Sequence, residues 1–377
     1  MELNSVGRRH DLDWIRVLAT VAVFLYHCLM FFNPFPWHVK NNDTDSEIML
    51  MLSLFIGLWV MPIFFAVSGI SVQHALAKRQ GPAYLKERLK RLGVPLIFGV
   101  FVLTPPQIYI ERLALHQFGG SFIEFYPHFF KGFYLEIGGE GNFAFFGLHL
   151  WYLLVLLVFS FLTLPLFKKV KMSLNFNMVH FLVLPTLLMA TGFVRTQNLG
   201  GWDLVFYLII FIYGYFFFSH QAFAAALEKT IKFHAITAVI ASLLYISWFI
   251  VNFPQAGIQA YMFYMVSVIG SWSLILCIFF LAGKYLFFSN RTLQYANEAA
   301  LPFYILHQPV IVIFGFFIAH LPLPVYIKLL FMMAVSISVI LLSYHFIIRQ
   351  SNMLRFLFGI KAMKKAETIV SKSTSAN

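Results

Sequence analysis

Three ionisable side chains stand in the first apolar stretch of the chain, LDWIRVLATVAVFLYH: Asp13, Arg16 and His27. Ionisable groups are costly in hydrocarbon and mark functional positions by default. Asp13 and Arg16 are three apart, so a helix lets them pair on one face. Arg16 and His27 are eleven apart, which at about 100° per residue leaves them roughly 20° from eclipsed and about 16 Å apart along the axis. A stripe of Arg below and His above, in an otherwise apolar helix, points to a polar cavity. Histidine suits proton transfer near neutral pH. The plainer reading is a helix–helix hydrogen bond for His27 and an Arg16 that snorkels to the membrane surface. Cys28 adjoins His27, but neighbours on a helix point about 100° apart, so Cys28 reads as packing.

Other polar groups sit at the edges of later apolar runs. Ser68 and Gly69, in FFAVSG, suit a close helix crossing with a hydrogen bond across it. In YLKERLKRLGVPL, Arg88 and Arg91 share one face of a short helix that runs into an apolar segment at Gly93 and Pro95. Arginine forks match phosphate oxygens; membrane anchoring or an anionic lipid accounts for the same pair. In NEAALPFYILHQP, Glu298, Tyr304 and His307 enter an apolar run together, between Pro302 and Pro309. Prolines free backbone carbonyls, which is tolerated where a cavity or a partner satisfies them. His307 lies about 13 Å and His27 about 20 Å from the same edge, so the two reach similar depths. His149 and Trp151, in GLHLWYL, fall at the opposite interface, where aromatic belts are normal.

These groups need helices to hold them. Hydrophobic residues make up 60% of the 377 and charged residues 11%, with a mean hydropathy of +0.79. A soluble domain carries about 25% charge, so a water-facing surface is excluded. Ten apolar runs are expected to span a bilayer, near 14–32, 50–72, 94–110, 148–167, 176–195, 204–219, 234–252, 261–282, 300–319 and 326–347. The net charge of +12 is a topological signal rather than a nucleic-acid one. Of the 27 Lys and Arg residues, 21 fall in alternate loops and the two ends, and five on the other side. The positive-inside rule then predicts both termini in the cytoplasm, in the inner membrane of a bacterium. The fold class is an all-α polytopic bundle. Residues 1–350 form one transmembrane domain and 351–377 a polar cytoplasmic tail. The first run is too long for a signal peptide and lacks a small-residue cleavage site. The long, aromatic, glycine-rich segment 111–147 is expected outside, with a re-entrant piece as one possibility for it. Cys28 and Cys277 fall inside spans, and no metal spacing is present.

Taken together, the pieces resemble the acyltransferase-3 family of membrane O-acyltransferases. Arg16-x10-His27 after LD, FFAVSG with Ser68, Arg88-x-x-Arg91, HLWYL from His149 and YILHQP around His307 follow in the family's order. RLKRLGVPL and HLWYL look most like the periplasmic-glucan succinyltransferase branch. The resemblance implies transfer of an acyl group, acetyl or succinyl, from cytosolic acyl-CoA to a hydroxyl of an extracytoplasmic glycan. It implies acyl-CoA as co-substrate, with no permanent cofactor and no metal. It places Arg16 and His27 at the catalytic core and Arg88 and Arg91 at the donor; the chemistry of the residues adds Asp13 to that core as the partner of Arg16, Ser68 to the donor side, and Tyr304, His307, His149 and Trp151 in support. His27 would act as general base or carry the acyl group covalently, and Tyr304 or His307 would polarise the thioester carbonyl or support His27. No appended esterase-like domain is expected, so acceptor recognition would fall to the outer loops or a partner. Two other classes stay open: a proton-coupled transporter, though the two similar halves such proteins often show are missing, and a non-catalytic membrane scaffold, in which Arg16 and His27 would be replaceable.

Overall fold

A computed structural model of the chain describes residues 8–44, 46–170, 180–194, 203–254 and 256–363. It is all-helical, and eight helices are long and apolar enough to cross a membrane. They are α1 (His10–Met30), α2 (Glu47–Leu76), α3 (Gly81–Ala114) and α4 (Leu148–Lys169), then α7 (Gln221–Asn252), α8 (Gly257–Tyr285), α9 (Arg291–Ile318) and α10 (Val325–Ile348). Two shorter apolar helices, α5 (His180–Ala190) and α6 (Leu204–Phe218), occupy the runs expected near 176–195 and 204–219. Eleven residues of α5 are described. Residues 171–179, where that run was expected to begin, lie outside the described residues.

α1 is wrapped by α2, α9 and α8, so its polar stripe is enclosed by protein rather than lipid. Asp11 and Asp13 stand in its first turn, where the helix dipole favours negative charge, and they pair with Arg9 and Arg8. α2 crosses α6 with backbones in contact at Gly69 and Gly214. A Cβ at Gly69 would collide with the Phe211 carbonyl, and one at Gly214 with the Ala66 carbonyl. The close approach expected at Gly69 is thus a backbone-to-backbone crossing. α7 and α10 turn most of their surface outward, exposing Phe233, Ile236, Leu330 and Phe346 among others.

α3 is one continuous helical run containing two π-helical segments, Leu89–Gly93 and Gly99–Leu103. Pro95 and Pro105 lack the N–H that would close the i−4 bonds, which frees the carbonyls of Arg91 and Phe101. The Tyr126 hydroxyl takes up the second, at 3.3 Å. Arg88 and Arg91 therefore ride on the first turns of a spanning helix. The long segment 111–147, expected outside the membrane, is ordered. It holds a short helix at Phe122–Phe125 and a 3-10 turn at Tyr126–Phe130, packed around Ile108, Phe125, Phe129 and Tyr134. The expected tail starts as structure too: after α10 the chain forms α11 (Asn352–Leu357) and packs Phe358 on Phe98. Residues 364–377 of that tail lie outside the described residues.

Candidate active site

At the N-terminal end of α1, Arg16 holds three partners from three helices. Its Nη1 donates to Asp13 Oδ1 at 3.1 Å and Asn297 Oδ1 at 3.3 Å, and its Nη2 to Ser71 Oγ at 3.2 Å. The expected Asp13–Arg16 pair is present, and Asn297 and Ser71 join it. Arg16 points into a cavity of about 720 Å³ that opens between α1, α2, α3, α4 and α9. Arg88, Arg91 and Ser68 line the same cavity. Seven cationic side chains line it against three carboxylates: Asp13, Glu87 and Glu298. Each carboxylate is already paired, Asp13 with Arg8 and Arg16, Glu87 with Arg79 and, at 3.9 Å, Arg91, and Glu298 with Arg355. A net excess of positive charge remains, and Arg88 and Lys361 are in no ion pair among the described residues.

At the far end of the cavity, Ser68 Oγ lies 2.8 Å from the Tyr152 hydroxyl. Tyr152, rather than the Trp151 singled out by its sequence context, faces the cavity. Trp151 packs on Phe65 and Tyr207 instead. The cause is helical geometry: adjacent residues diverge by about 100°, and only one can face the bundle's centre.

Behind Tyr152 lies Tyr304, ring centroids 6.0 Å apart, and behind Tyr304 three imidazoles. His27 and His307 are bonded Nδ1 to Nε2 at 2.7 Å, and His149 lies edge-on to His307 with centroids 5.0 Å apart. The tautomers follow from fixed acceptors. His307 Nδ1 is 2.5 Å from the Tyr304 carbonyl, so it carries the proton and donates. Its Nε2 must then accept, and His27 Nδ1 must donate to it. His27 Nε2 is left with a lone pair. Pro309 has no N–H to give to the Ile305 carbonyl, and His149 Nε2 donates to that carbonyl at 3.0 Å. The carbonyl freed by a proline inside a spanning helix is thereby satisfied by a histidine.

The support roles expected of Tyr304 and His307 narrow here. The Tyr304 hydroxyl donates to the His149 carbonyl, and both His307 nitrogens are used. The hydroxyl of Tyr304 and both nitrogens of His307 are thus spent within the cluster, and the Tyr304 carbonyl and His307 fix the orientation of His27. Two buried polar atoms beside them make no hydrogen bond among the described residues: Trp37 Nε1, a donor, and His149 Nδ1, an acceptor. Trp37 stacks on His27 at 5.2 Å.

A second polar network borders this cluster. His38 Nδ1 donates to Glu111 Oε2 at 2.5 Å, and Gln308, next to His307 in sequence, bonds His38 Nε2 at 3.0 Å. Glu111, wholly buried, also accepts from the Tyr134 hydroxyl at 2.7 Å and the Gly138 amide at 3.0 Å, and meets Arg112 at 3.3 Å. Burial and the adjacent Glu111 raise the Tyr134 phenol above its ordinary range, which keeps it a donor. The loop carrying Trp37 and His38 is pinned by two lysines. Lys40 Nζ caps the end of α1 at the carbonyls of Met30, Asn33 and Phe35, and Lys328 Nζ bonds Asn41 Oδ1 and the Ala319 carbonyl.

Trp37, His38, Glu111, Gln308 and Tyr152 were not among the residues singled out by spacing. Two of them sit beside residues that were, Gln308 next to His307 and Tyr152 next to Trp151. For the others the sequence carries no local signal. Among the described residues, no group of three or more His, Cys, Asp or Glu is arranged to hold a metal.

The chain is similar to proteins called glucans biosynthesis protein C. The one from Escherichia coli strain SMS-3-5 is 26% identical over 399 residues, covering 96% of each chain. That from strain O1:K1 is 27% identical over 402 residues with the same coverage. No solved structure matches. The acyltransferase-3 pattern, described as an acyltransferase domain, matches residues 9–347, so it takes in α1 to nearly the end of α10 and with them the Arg16 cavity and the His27 cluster: the chain belongs to the acyltransferase-3 family of membrane acyltransferases.

Proposed function

We propose that the protein is an O-acyltransferase of a bacterial inner membrane, moving an acetyl or succinyl group from cytosolic acyl-CoA to a hydroxyl of an extracytoplasmic glycan. One observation carries this reading: the cation-lined cavity reaches Ser68 and Tyr152, and from Tyr152 ring contacts lead through Tyr304 to the His27–His307 pair. A CoA thioester needs those two environments at opposite ends. Its phosphates need positive charge and arginine forks, and its carbonyl needs a base. The excess of cations over carboxylates supports the phosphate end at Arg88 and Arg91. The relatives' name refers to glucans, and a glucan-type acceptor is carried over on that ground. Both termini are assigned to the cytoplasm because the cavity opens on the side richer in Lys and Arg.

In this mechanism His27 Nε2 takes the proton of the acceptor hydroxyl while the oxygen attacks the thioester carbonyl. The resulting tetrahedral centre collapses, the C–S bond breaks, and the proton on Nε2 passes to the CoA thiolate. His307 accepts the Nδ1 hydrogen bond throughout and stabilises the imidazolium as it forms, as a buried acceptor does in a catalytic triad. Trp37 Nε1, a buried donor with no partner, is assigned to the developing oxyanion. Arg16, fixed by Asp13, Asn297 and Ser71, aligns the donor arm between the phosphates and the base.

The test is direct. Membranes holding the protein are given labelled acetyl-CoA or succinyl-CoA and a glucan acceptor, and label in the glucan is followed for the wild type, His27→Ala and Arg16→Ala at matched expression. CoA-dependent transfer that both variants lose supports the reading. Transfer retained by His27→Ala would remove the base, and no transfer from any CoA donor would return the chain to a transporter or scaffold.

A further inference from the structure

The family match ends at residue 347, yet four residues beyond it line the cavity: Arg355, Gly359, Ile360 and Lys361. They belong to α11 and the three residues after Phe358. This segment is fastened at several points. Ser351 Oγ caps α11 at the Leu354 amide. Arg355, buried, donates to Glu298 Oε1 at 2.6 Å, to the Lys361 carbonyl at 2.6 Å and to the Arg349 carbonyl at 3.3 Å. Gly359 turns the chain with φ +69, and a Cβ there would meet Pro95, Leu301 and the Arg91 carbonyl, so the strap seats on α3 and α9 only with glycine at that point. Arg91 Nε returns a hydrogen bond to the Gly359 carbonyl at 3.4 Å.

The cations of this wall divide by whether they are spent. Arg355 is used on Glu298 and on backbone. Lys361, exposed at the cavity's edge, has no ion pair among the described residues. Arg88, on the α3 wall, is in the same state and rests over the Tyr84 ring. A fastened strap that presents one free ammonium to a cavity, facing a wall with a free guanidinium, is built for an anion with two separated phosphate groups.

We propose that residues 352–361 form part of the donor site, and that Lys361 takes the donor's 3′-phosphate while Arg88 and Arg91 take its pyrophosphate. The proposal rests on the cavity being the acyl-CoA site. The division follows the chemistry of the two cations. A monoester carries about −1.5 to −2 charges and is met well by a compact, mobile ammonium. The pyrophosphate offers paired oxygens that a guanidinium fork matches.

The experiment compares wild type, Lys361→Glu and Lys361→Arg in nanodiscs of uncharged phosphatidylcholine. Each is given acyl-CoA and its 3′-dephospho counterpart, and CoA binding is measured by calorimetry alongside turnover. Lys361→Glu is expected to raise KM for acyl-CoA about tenfold, as loss of one charge-assisted contact does, with kcat held within about twofold. With the 3′-dephospho donor the two proteins are expected to converge, and Lys361→Arg is expected to restore most of the affinity. An unchanged KM in Lys361→Glu overturns the proposal. So does an equal loss with both donors, or an effect seen only when anionic lipid is added, which would make a lipid headgroup the strap's ligand. A wild type that neither binds CoA nor uses acyl-CoA defeats the cavity reading itself, and that outcome needs no variant.

Discussion

His27 Nδ1 donates to His307 Nε2 across 2.7 Å, and the other nitrogen of His307 is committed to the Tyr304 carbonyl. The lone pair left in this pair is therefore on His27 Nε2. A base without its acceptor would lose orientation and the stabilisation of its charged form, but not its basic nitrogen. His27→Ala is expected to lower kcat by about 10³-fold, within the range for a general base. His307→Phe keeps a ring in the site and is expected to cost roughly 10²-fold in kcat with KM for the donor little changed. Steady-state kinetics on the two variants check the order. Equal kcat in wild type and His307→Phe would mean that the Trp37 stack alone orients His27.

The same tautomer bears on how the acyl group travels. A base acting on a bound hydroxyl requires donor and acceptor together, so no acylated protein should build up. Protein given labelled acyl-CoA without acceptor, quenched in acid and separated, is expected to carry no stoichiometric label. A burst of one label per chain that is lost in His27→Ala would instead make His27 the covalent carrier.

Much of this site was legible because an α-helix has a fixed period. The eleven-residue spacing put Arg16 and His27 on one stripe, and the three-residue spacing gave the Asp13 pair. The two prolines around His307 announced freed carbonyls, but which groups would take them depended on α4, 156 residues away in the His149–Ile305 bond. Similar reasoning explains Trp151. An indole beside a histidine at an interface reads as a belt or a site, and only the packing of α4 on α2 shows that Tyr152 faces inward. The His38–Glu111 bond, which joins residues 73 apart, has no local periodicity to betray it.

Arg16 is expected to resist its most conservative replacement. Its fork reaches Asp13 and Asn297 with one nitrogen and Ser71 with another. A lysine ammonium is a single point and cannot hold that spread. Arg16→Lys keeps the charge but forfeits at least one or two hydrogen bonds, each of about 0.5–1.5 kcal/mol. The expected loss in kcat/KM for the donor is roughly 10- to 100-fold. Wild-type kcat/KM in Arg16→Lys would show that charge alone suffices.

Two glycines offer a matched test of the helix crossing. Gly69→Val places a side chain against the backbone of α6, which cannot yield as a side chain tip does. Overpacking of this sort costs about 1–3 kcal/mol, so unfolding temperature should fall clearly. Gly283, in α8, has nothing within 4 Å of its missing Cβ. Gly283→Ala is expected to be neutral or to stabilise by up to about 1 kcal/mol, through the helix preference for alanine alone. Thermal unfolding in one detergent or nanodisc preparation compares them, and equal behaviour would rule out a tight crossing at Gly69.

Glu111 is where residues 115–147 are tied to the loop after α1 and, through His38 and Gln308, to α9. One carboxylate, with no exposed surface, receives His38, Tyr134 and the Gly138 amide, and His38 in turn receives Gln308, the neighbour of His307. Glu111→Gln preserves size but turns one acceptor oxygen into a donor facing other donors. A buried donor without an acceptor costs about 1–3 kcal/mol, and here the cost falls on residues 115–147 and on the loop of Trp37 and His38 rather than on the cation-lined cavity. The variant is therefore expected to bind CoA as the wild type does. It should be cut faster by protease within 115–147, and its KM for the glycan acceptor should rise by several-fold or more, roughly in line with that free energy. Calorimetry, limited proteolysis and acceptor kinetics read the three effects separately. If CoA affinity falls while the acceptor KM stays put, Glu111 acts on the donor side, and residues 115–147 have no part in acceptor recognition.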